Sequence, residues 1–502
     1  MNQHLPILIV IIPLFVAMAA RLSVRLSVSF TRGLVLAAAL AVLACGAGAL
    51  AETLARGEPW PYHVAGWPPP WGIELVIDPL SGGMVVLVAF FGLAALVYAG
   101  PYLQGRTPRE QGSFYALFLL ALAGLLGICV TGDLFNLFVF LEISSLAAYA
   151  LIAFGGRRAI VAALRYLIIG TAAACFYLLG VGYLYAMTGS LNMADLAVLL
   201  PPLMDSPAVI LAVVFIVAGL GVKTALFPLH GWLPDAYSYT PAPVLAFMAA
   251  VMTKVSAYAL YRILYFVTEA AGPVSVTLEA LGWMAAAGIL FGSVMAIAQR
   301  DFWRMLAYSS VAQVGYIVLG LAVGNVLALY GALLHVVSHS LVKGGLFFIA
   351  GGVSWETGVR RVPDFVGMAK KMPLTMAAFV VAAFSMIGLP PTLGFFSKWY
   401  LVLGCLEARA WGFAAVLVVS SLLTAVYFFR VIENAYLKGR PEAGAAGAEQ
   451  PVRPRGRRFR LELPAGMLLP ILVLSLGVAV LGLFNEQIIS NVIHYALPWR
   501  LP

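Results

Sequence analysis

Charge is scarce in this chain. Only 10% of its 502 residues are charged, and just 21 are acidic, while 63% are hydrophobic. A soluble domain of this size cannot be hydrated by so few charges, so the composition excludes that class and points to an all-α polytopic membrane protein. Cysteine is equally scarce. Cys45, Cys129, Cys175 and Cys405 lie far apart in apolar segments with no CxxC pair. Disulfide, zinc and iron–sulfur readings lose their basis, and small buried apolar residues are the plainer account. No strand pattern is visible, and no glycine-rich phosphate loop, dinucleotide fingerprint or nucleophile elbow follows one. No cofactor, no metal and no bond-making chemistry are therefore expected. The net charge of +9 invites a nucleic-acid reading, but the basic residues sit in short loops between apolar runs, where membrane topology explains them.

Those apolar runs fall at about 5–20, 33–51, 78–100, 112–131, 133–154, 159–187, 208–240, 243–267, 276–299, 304–323, 326–350, 374–403, 410–432 and 466–490. Each is long enough to cross the hydrocarbon core as a helix, which predicts about fourteen transmembrane segments. The first run has its positive charges after it rather than before it, so it reads as a retained helix and not as a signal peptide. Basic residues gather in alternate loops: Arg21, Arg25 and Arg32; Arg106 and Arg109; Arg157 and Arg158; Arg300 and Arg304; Arg360, Arg361, Lys370 and Lys371; and the 453–460 cluster. The other loops carry Glu52, Glu58, Asp195, Asp205, Glu269 and Glu407. The positive-inside rule then predicts both termini on the outer side of a bacterial or archaeal cell membrane. Residues 439–460 read as a flexible cytoplasmic loop, and the Trp- and Pro-rich stretch 52–77 as an outer interfacial one.

Against this apolar background, buried polar residues mark function, because a lysine at bilayer centre costs about 2.5–3.5 kcal/mol on insertion scales. The run 208–240 holds Lys223 just before Pro228, and 374–403 holds Lys398 just after Pro390 and Pro391. Helices interrupted at membrane depth are tolerated only where protein or water receives the freed backbone groups. Paired broken helices suggest two five-helix units, at 112–267 and 276–432, preceded by three helices in 1–111 and followed by a last helix at 466–490.

Glu142 lies mid-segment, and Lys223 is its natural partner, either as a proton-dependent pair or as a fixed salt bridge joining two helices. Lys254 has no acid in its own segment, and its alternatives are snorkelling or pairing with a carbonyl. His335, His339 and Lys343 recur every fourth residue and so share one helix face, a plausible relay. HVVSH lacks the glutamate of a metalloprotease motif, which argues against metal there. For Lys398, snorkelling to the nearer surface competes with a role as carrier. His230 and Asp235 either link Lys223 to Lys254 or the inner surface, or cap short helices. Asp133 reads best as a helix cap, and Arg165 as an arginine reaching to the inner loop.

The segments LFPLHGWLPDAYSYTPAPV, DFWRMLAYSSVAQVGYI, HVVSHSLVKGGLFF and GLPPTLGFFSKWYL together resemble the proton-conducting membrane transporter family. It includes antiporter-like subunits of respiratory complex I, membrane-bound hydrogenases and Mrp-type cation/proton antiporters. The resemblance covers nearly the whole chain. It implies fourteen helices, two inverted five-helix repeats with the seventh and twelfth helices broken, and a polar axis onto which Glu142, Lys223, Lys254, His335, His339, Lys343 and Lys398 fall. It is nearest to the D-type group of Mrp antiporter subunits, and a lysine at 398 fits that branch. The leading expectation is a proton-translocating subunit of a multi-subunit sodium/proton antiporter. The alternative is a pumping subunit of a redox-driven complex. Either implies other membrane subunits as partners, with protons and sodium as transported ions, and no nucleic acid.

Overall fold

Runs this apolar satisfy their backbone only by coiling, since hydrocarbon offers no hydrogen-bond partner. The computed structural model describes residues 2–270, 274–438 and 462–497 and is helical almost throughout. Its main helices are α1 (Leu5–Ser23), α2 (Val28–Arg56), α3 (Pro79–Tyr102), α4 (Pro108–Val130), α5 (Leu134–Ala153) and α6 (Arg157–Thr188). Then come α7 (Pro207–Thr224), α8 (Leu233–Tyr239), α9 (Ala242–Val267), α10 (Val274–Ala298), α11 (Phe302–Val323) and α12 (Val326–Thr357). The series closes with α13 (Pro373–Ile387), α14 (Leu393–Glu407), α15 (Trp411–Leu437) and α16 (Ala465–Leu483).

Among the described residues, thirteen helices are long and apolar enough to cross a membrane. The remaining expected segment, 374–403, is present as α13 and α14, two helices of 15 residues each. The expected loop at 439–460 lies outside the described residues.

The structure corrects the sequence reading in the loop at 52–77. Within 52–77, where the sequence shows only an irregular loop, Trp60–His63 (β1) pairs antiparallel with Glu74–Ile77 (β2). Prolines on either side hide the short alternation, while Trp60, Leu75 and Ile77 turn inward and are buried. In the run 208–240, read from the sequence as broken at Pro228, α7 ends with Ala225 in the left-handed region (φ 62°), and helix resumes at Leu233.

Helix starts are chemically explicit. Asp78 and Thr107 form capping boxes with Ser81 and Glu110, and Asp133, Asp301 and Asn325 cap α5, α11 and α12. Small residues let backbones approach. A Cβ on Gly180 would lie 2.6 Å from the Ala212 carbonyl oxygen, and one on Gly219 would lie 2.6 Å from that of Ala173, so α6 and α7 meet almost backbone to backbone.

At one end of the bundle the Arg262 guanidinium pairs with Asp78 and donates from Nε to the Tyr258 hydroxyl (3.0 Å). That hydroxyl donates to the Cys129 carbonyl (2.8 Å), so one buried cluster fastens α9 to the start of α3 and the end of α4. Removing one partner strands a buried charge. Arg262→Ala is therefore expected to cost roughly 3–5 kcal/mol and to lower the thermal midpoint of the purified protein by several degrees. An unchanged midpoint would show that the cluster carries no stability.

Candidate functional site

The first break brings the first pair together. On α5, Glu142, Ser145 and Tyr149 recur at helical spacing and face α7. The Lys223 ammonium, at the last turn of α7, lies 3.7 Å from Glu142 Oε1 and donates to Ser145 Oγ (2.7 Å) and the Tyr149 hydroxyl (3.3 Å). Lys223 is only 2% exposed. The expected partnership is present, with two hydroxyls that the acid–base pattern does not announce. Where α7 stops, the Val222 carbonyl, which accepts from Ala225 N (3.0 Å), accepts also from Trp232 Nε1 (2.8 Å), and the indole stacks on Tyr166 (3.7 Å between centroids). The break is thus sealed from its own continuation.

Lys254 sits on α9 just past a wider, π-type turn at Met248–Met252. Such turns free a carbonyl from the regular ladder. The ammonium donates to one of them, Ala249 O, on its own helix. Neither snorkelling nor a distant helix is involved.

Lys343 on α12 donates to Leu306 O (2.8 Å) and to Ser309 Oγ on α11. Two turns away, His335 Nδ1 lies 2.9 Å from Ser397 Oγ, and its ring stacks against Tyr316 and His339. Lys398 is buried and does not snorkel. It donates to the Met386 and Ile387 carbonyls (2.7 and 3.2 Å) at the end of α13 and to Ser421 Oγ (3.1 Å), with Tyr316 beneath it. A cation on the last carbonyls of a helix is favoured by hydrogen bonding and by the helix dipole. Lys398 therefore satisfies the second break as Trp232 satisfies the first. Among the described residues, no carboxylate forms an ion pair with Lys254, Lys343 or Lys398.

The four accessory candidates fall outside this row. Asp133 caps α5, accepting from Asn136 N (2.6 Å). Asp235 is shared by Arg165 (2.7 Å) and Arg304 (3.4 Å) and does not join Lys223 to Lys254. Arg165 accordingly reaches to Asp235 rather than to the adjacent loop. The His230 ring lies between Phe227 and Phe291, with Nδ1 lacking any protein partner.

Gln313 joins the row without having been singled out by its charge. It is fully buried on α11, between Ser309, which meets Lys343, and Tyr316, which meets His335. The antiparallel register places it level with His339. Both polar atoms of Gln313 and both ring nitrogens of His339 lack a protein partner. A signal for it exists in the sequence, since Gln313 follows Ser309 by four residues and precedes Tyr316 by three and so shares their helix face. Buried polar groups take partners, and water is the one that fits between two such side chains. An experimental density map resolving waters is expected to show ordered water between Gln313 and His339. Direct contact between the side chains in such a map would overturn this.

Known proteins resemble this chain to different degrees. The chain is 89% identical, over its whole length and that of the relative, to a protein of Desulforudis audaxviator named as the N subunit of NADH-quinone oxidoreductase. It is 36% identical to the D subunit of the Na(+)/H(+) antiporter of Alkalihalophilus pseudofirmus, over 74% of this chain and 75% of the other. Among solved structures, a chain of the Mrp complex of Dietzia sp. DQ12-45-1b superposes with TM-score 0.85 at 27% identity, over 99% of this chain and 97% of that one. A chain of the membrane-bound sulfane sulfur reductase, an archaeal respiratory membrane complex, gives 0.88 at 29% identity, over 98% and 97%. The fold therefore does not separate antiporter from redox complex, whereas sequence identity lies much nearer the redox-named relative. Residues 131–424, which hold every member of the polar row, match the description NADH:quinone oxidoreductase/Mrp antiporter, TM, and the chain belongs to that family.

Proposed function

We propose that this chain is a proton-translocating membrane subunit of a redox-driven complex, of the kind that oxidises a reduced carrier and passes electrons to a quinone. The supporting observation is the buried row itself: Glu142 against Lys223 at one break, Lys254, Lys343, His339 and His335 within the bundle, and Lys398 at the second break. The full-length identity to a protein named as part of an NADH-quinone oxidoreductase supports the redox setting and moves this reading ahead of the sodium/proton antiporter expected first. The sequence offers no redox ligand pattern, so electron transfer belongs to partner subunits, and the two five-helix units would carry protons from one half to the other. In this reading Glu142 and Lys223 exchange a proton across their contact, Lys254 is the central carrier, the histidines with Gln313 and water connect it to Lys398, and both termini face outward. The antiporter reading keeps one observation in its favour, the 36% identity to a D-type antiporter subunit, and sodium enters only with it.

Two experiments test this. Purification of the tagged chain from its native membrane in mild detergent is expected to bring flavin- or iron–sulfur-containing subunits with it. Recovery of small membrane subunits alone would favour the antiporter. In reconstituted vesicles, Glu142→Gln is expected to lower proton movement by at least ~10²-fold, the lower range for loss of a positioned acid–base group, with assembly intact. Lys223→Arg keeps the charge and hydrogen bonds but does not release its proton at accessible pH, and is expected to be as defective. Wild-type pumping by Lys223→Arg would instead establish the fixed salt bridge.

A further inference from the structure

Lys343 and Lys398 each donate to a serine: Lys343 to Ser309 Oγ on α11, and Lys398 to Ser421 Oγ on α15 (3.1 Å). Between those serines lie further buried polar groups that a relay through His339 and His335 does not use. On α11, Ser309, Gln313 and Tyr316 follow one another by four and then three residues. On α15, Ser420, Thr424 and Tyr427 do the same, so each helix carries one polar face. All six side chains are buried.

The two faces meet at both ends, with the helices running in opposite directions. The Tyr427 hydroxyl donates to Thr424 Oγ1 (3.3 Å) and approaches Ser309. At the other end the Tyr316 hydroxyl lies 3.4 Å from Ser421 Oγ and approaches Ser420. With both ends matched, the register sets Thr424 level with Gln313, whose two amide atoms have no protein partner. Hydroxyl contacts between membrane helices add little stability on average, so packing alone is a poor reason for a polar face of this length. A hydroxyl has one donor and two acceptor positions, and it can take a proton on one side while passing its own to the other. Lys398 is placed to receive that proton. As an ammonium it directs its three N–H groups to Met386 O, Ile387 O and Ser421 Oγ. A carbonyl only accepts, whereas a hydroxyl accepts or donates, so the contact that reverses when Lys398 becomes an amine is the one with Ser421.

We propose that Ser309, Tyr427, Thr424, Tyr316 and Ser421, with water held by Gln313 across the middle, form a second proton route from Lys343 to Lys398, parallel to the histidines. The route rests on the proton-translocating function proposed above and adds relay residues to it. The Lys343 ammonium gives a proton to Ser309 Oγ as Ser309 gives its own onward, and each hydroxyl and water in turn gains one proton and loses one. Ser421 gives the last to the lone pair of the Lys398 amine. The net change is one proton moved from Lys343 to Lys398, and rotation of the hydroxyls resets the row.

The test uses the assembled complex reconstituted in vesicles. His339→Leu interrupts the histidine relay and leaves the hydroxyl route. It is expected to lower proton movement by less than the ~10²-fold that follows loss of an indispensable acid–base group. Adding Tyr427→Phe, or Thr424→Val with its nearly identical shape, is expected to lower it by a further ~10²-fold at least. Adding Thr424→Ser, which keeps a hydroxyl, is expected to leave it at the level of His339→Leu alone. A loss of ~10²-fold or more in His339→Leu alone, a double variant no slower than His339→Leu, or equal defects with Thr424→Val and Thr424→Ser would each overturn the second route. Wild-type proton movement in Glu142→Gln, measured in the same vesicles, would instead overturn the translocating function on which the route rests.

Discussion

A backbone carbonyl or N–H group released at membrane depth has to find a partner inside the protein, and this constraint organises the bundle. The carbonyls at the end of each broken helix receive a side-chain donor: Trp232 at Val222, Lys398 at Met386 and Ile387. The wide turn in α9 frees Ala249, and Lys254 takes it. Lys343 also rests on a carbonyl, that of Leu306, though this one lies within the regular helix α11. Three of the four axial lysines therefore rest on carbonyl oxygens rather than on acids. Their burial is tolerable because backbone carbonyls, released at a wide turn for Lys254 and at a helix end for Lys398, supply the negative end of a dipole where a carboxylate would otherwise be required.

Much of this is legible in the sequence, and the limits of its legibility are physical. The spans can be counted because hydrocarbon thickness imposes run length. The row of Lys and His can be named because charge in an apolar run is costly enough to stand out. Glu142 and Lys223 can be paired because they are the natural opposite charges in neighbouring segments. Hydroxyl and amide partners are not legible: Ser145, Ser309, Ser397 and Gln313 carry no charge, and polar residues of this kind also occur at helix contacts with no other role. The carbonyl partners are beyond reach for a different reason. Every residue has a carbonyl, and only the three-dimensional break or wide turn shows which one is free. The same holds for the hairpin at Trp60–Ile77, whose short strands are set between prolines.

Choosing between antiporter and redox complex draws on a different kind of information. The proposed proton axis would serve either driving force, since both require only that protons reach and leave buried groups. The likeness of fold to both kinds of assembly follows from this. What differs is the machinery outside this chain, and full-length identity to a redox-named relative carries more weight there than any one residue, including the lysine at 398 that favours the antiporter branch.

The backbone-to-backbone contact of α6 and α7 at Gly180 and Gly219 bears on mechanics. Two helices seated this closely cannot slide or turn past one another without collision, so α7 is a fixed post up to Lys223. Beyond Ala225 the chain runs as a short unwound strap, tied back to the post where Trp232 donates to the Val222 carbonyl, and then as α8, whose Tyr239 carbonyl lies against Gly155. Any motion accompanying the proposed proton transfer at Lys223 would therefore fall in residues 225–232, between the fixed post and the first turn of α8, which Arg165 and Arg304 hold through Asp235.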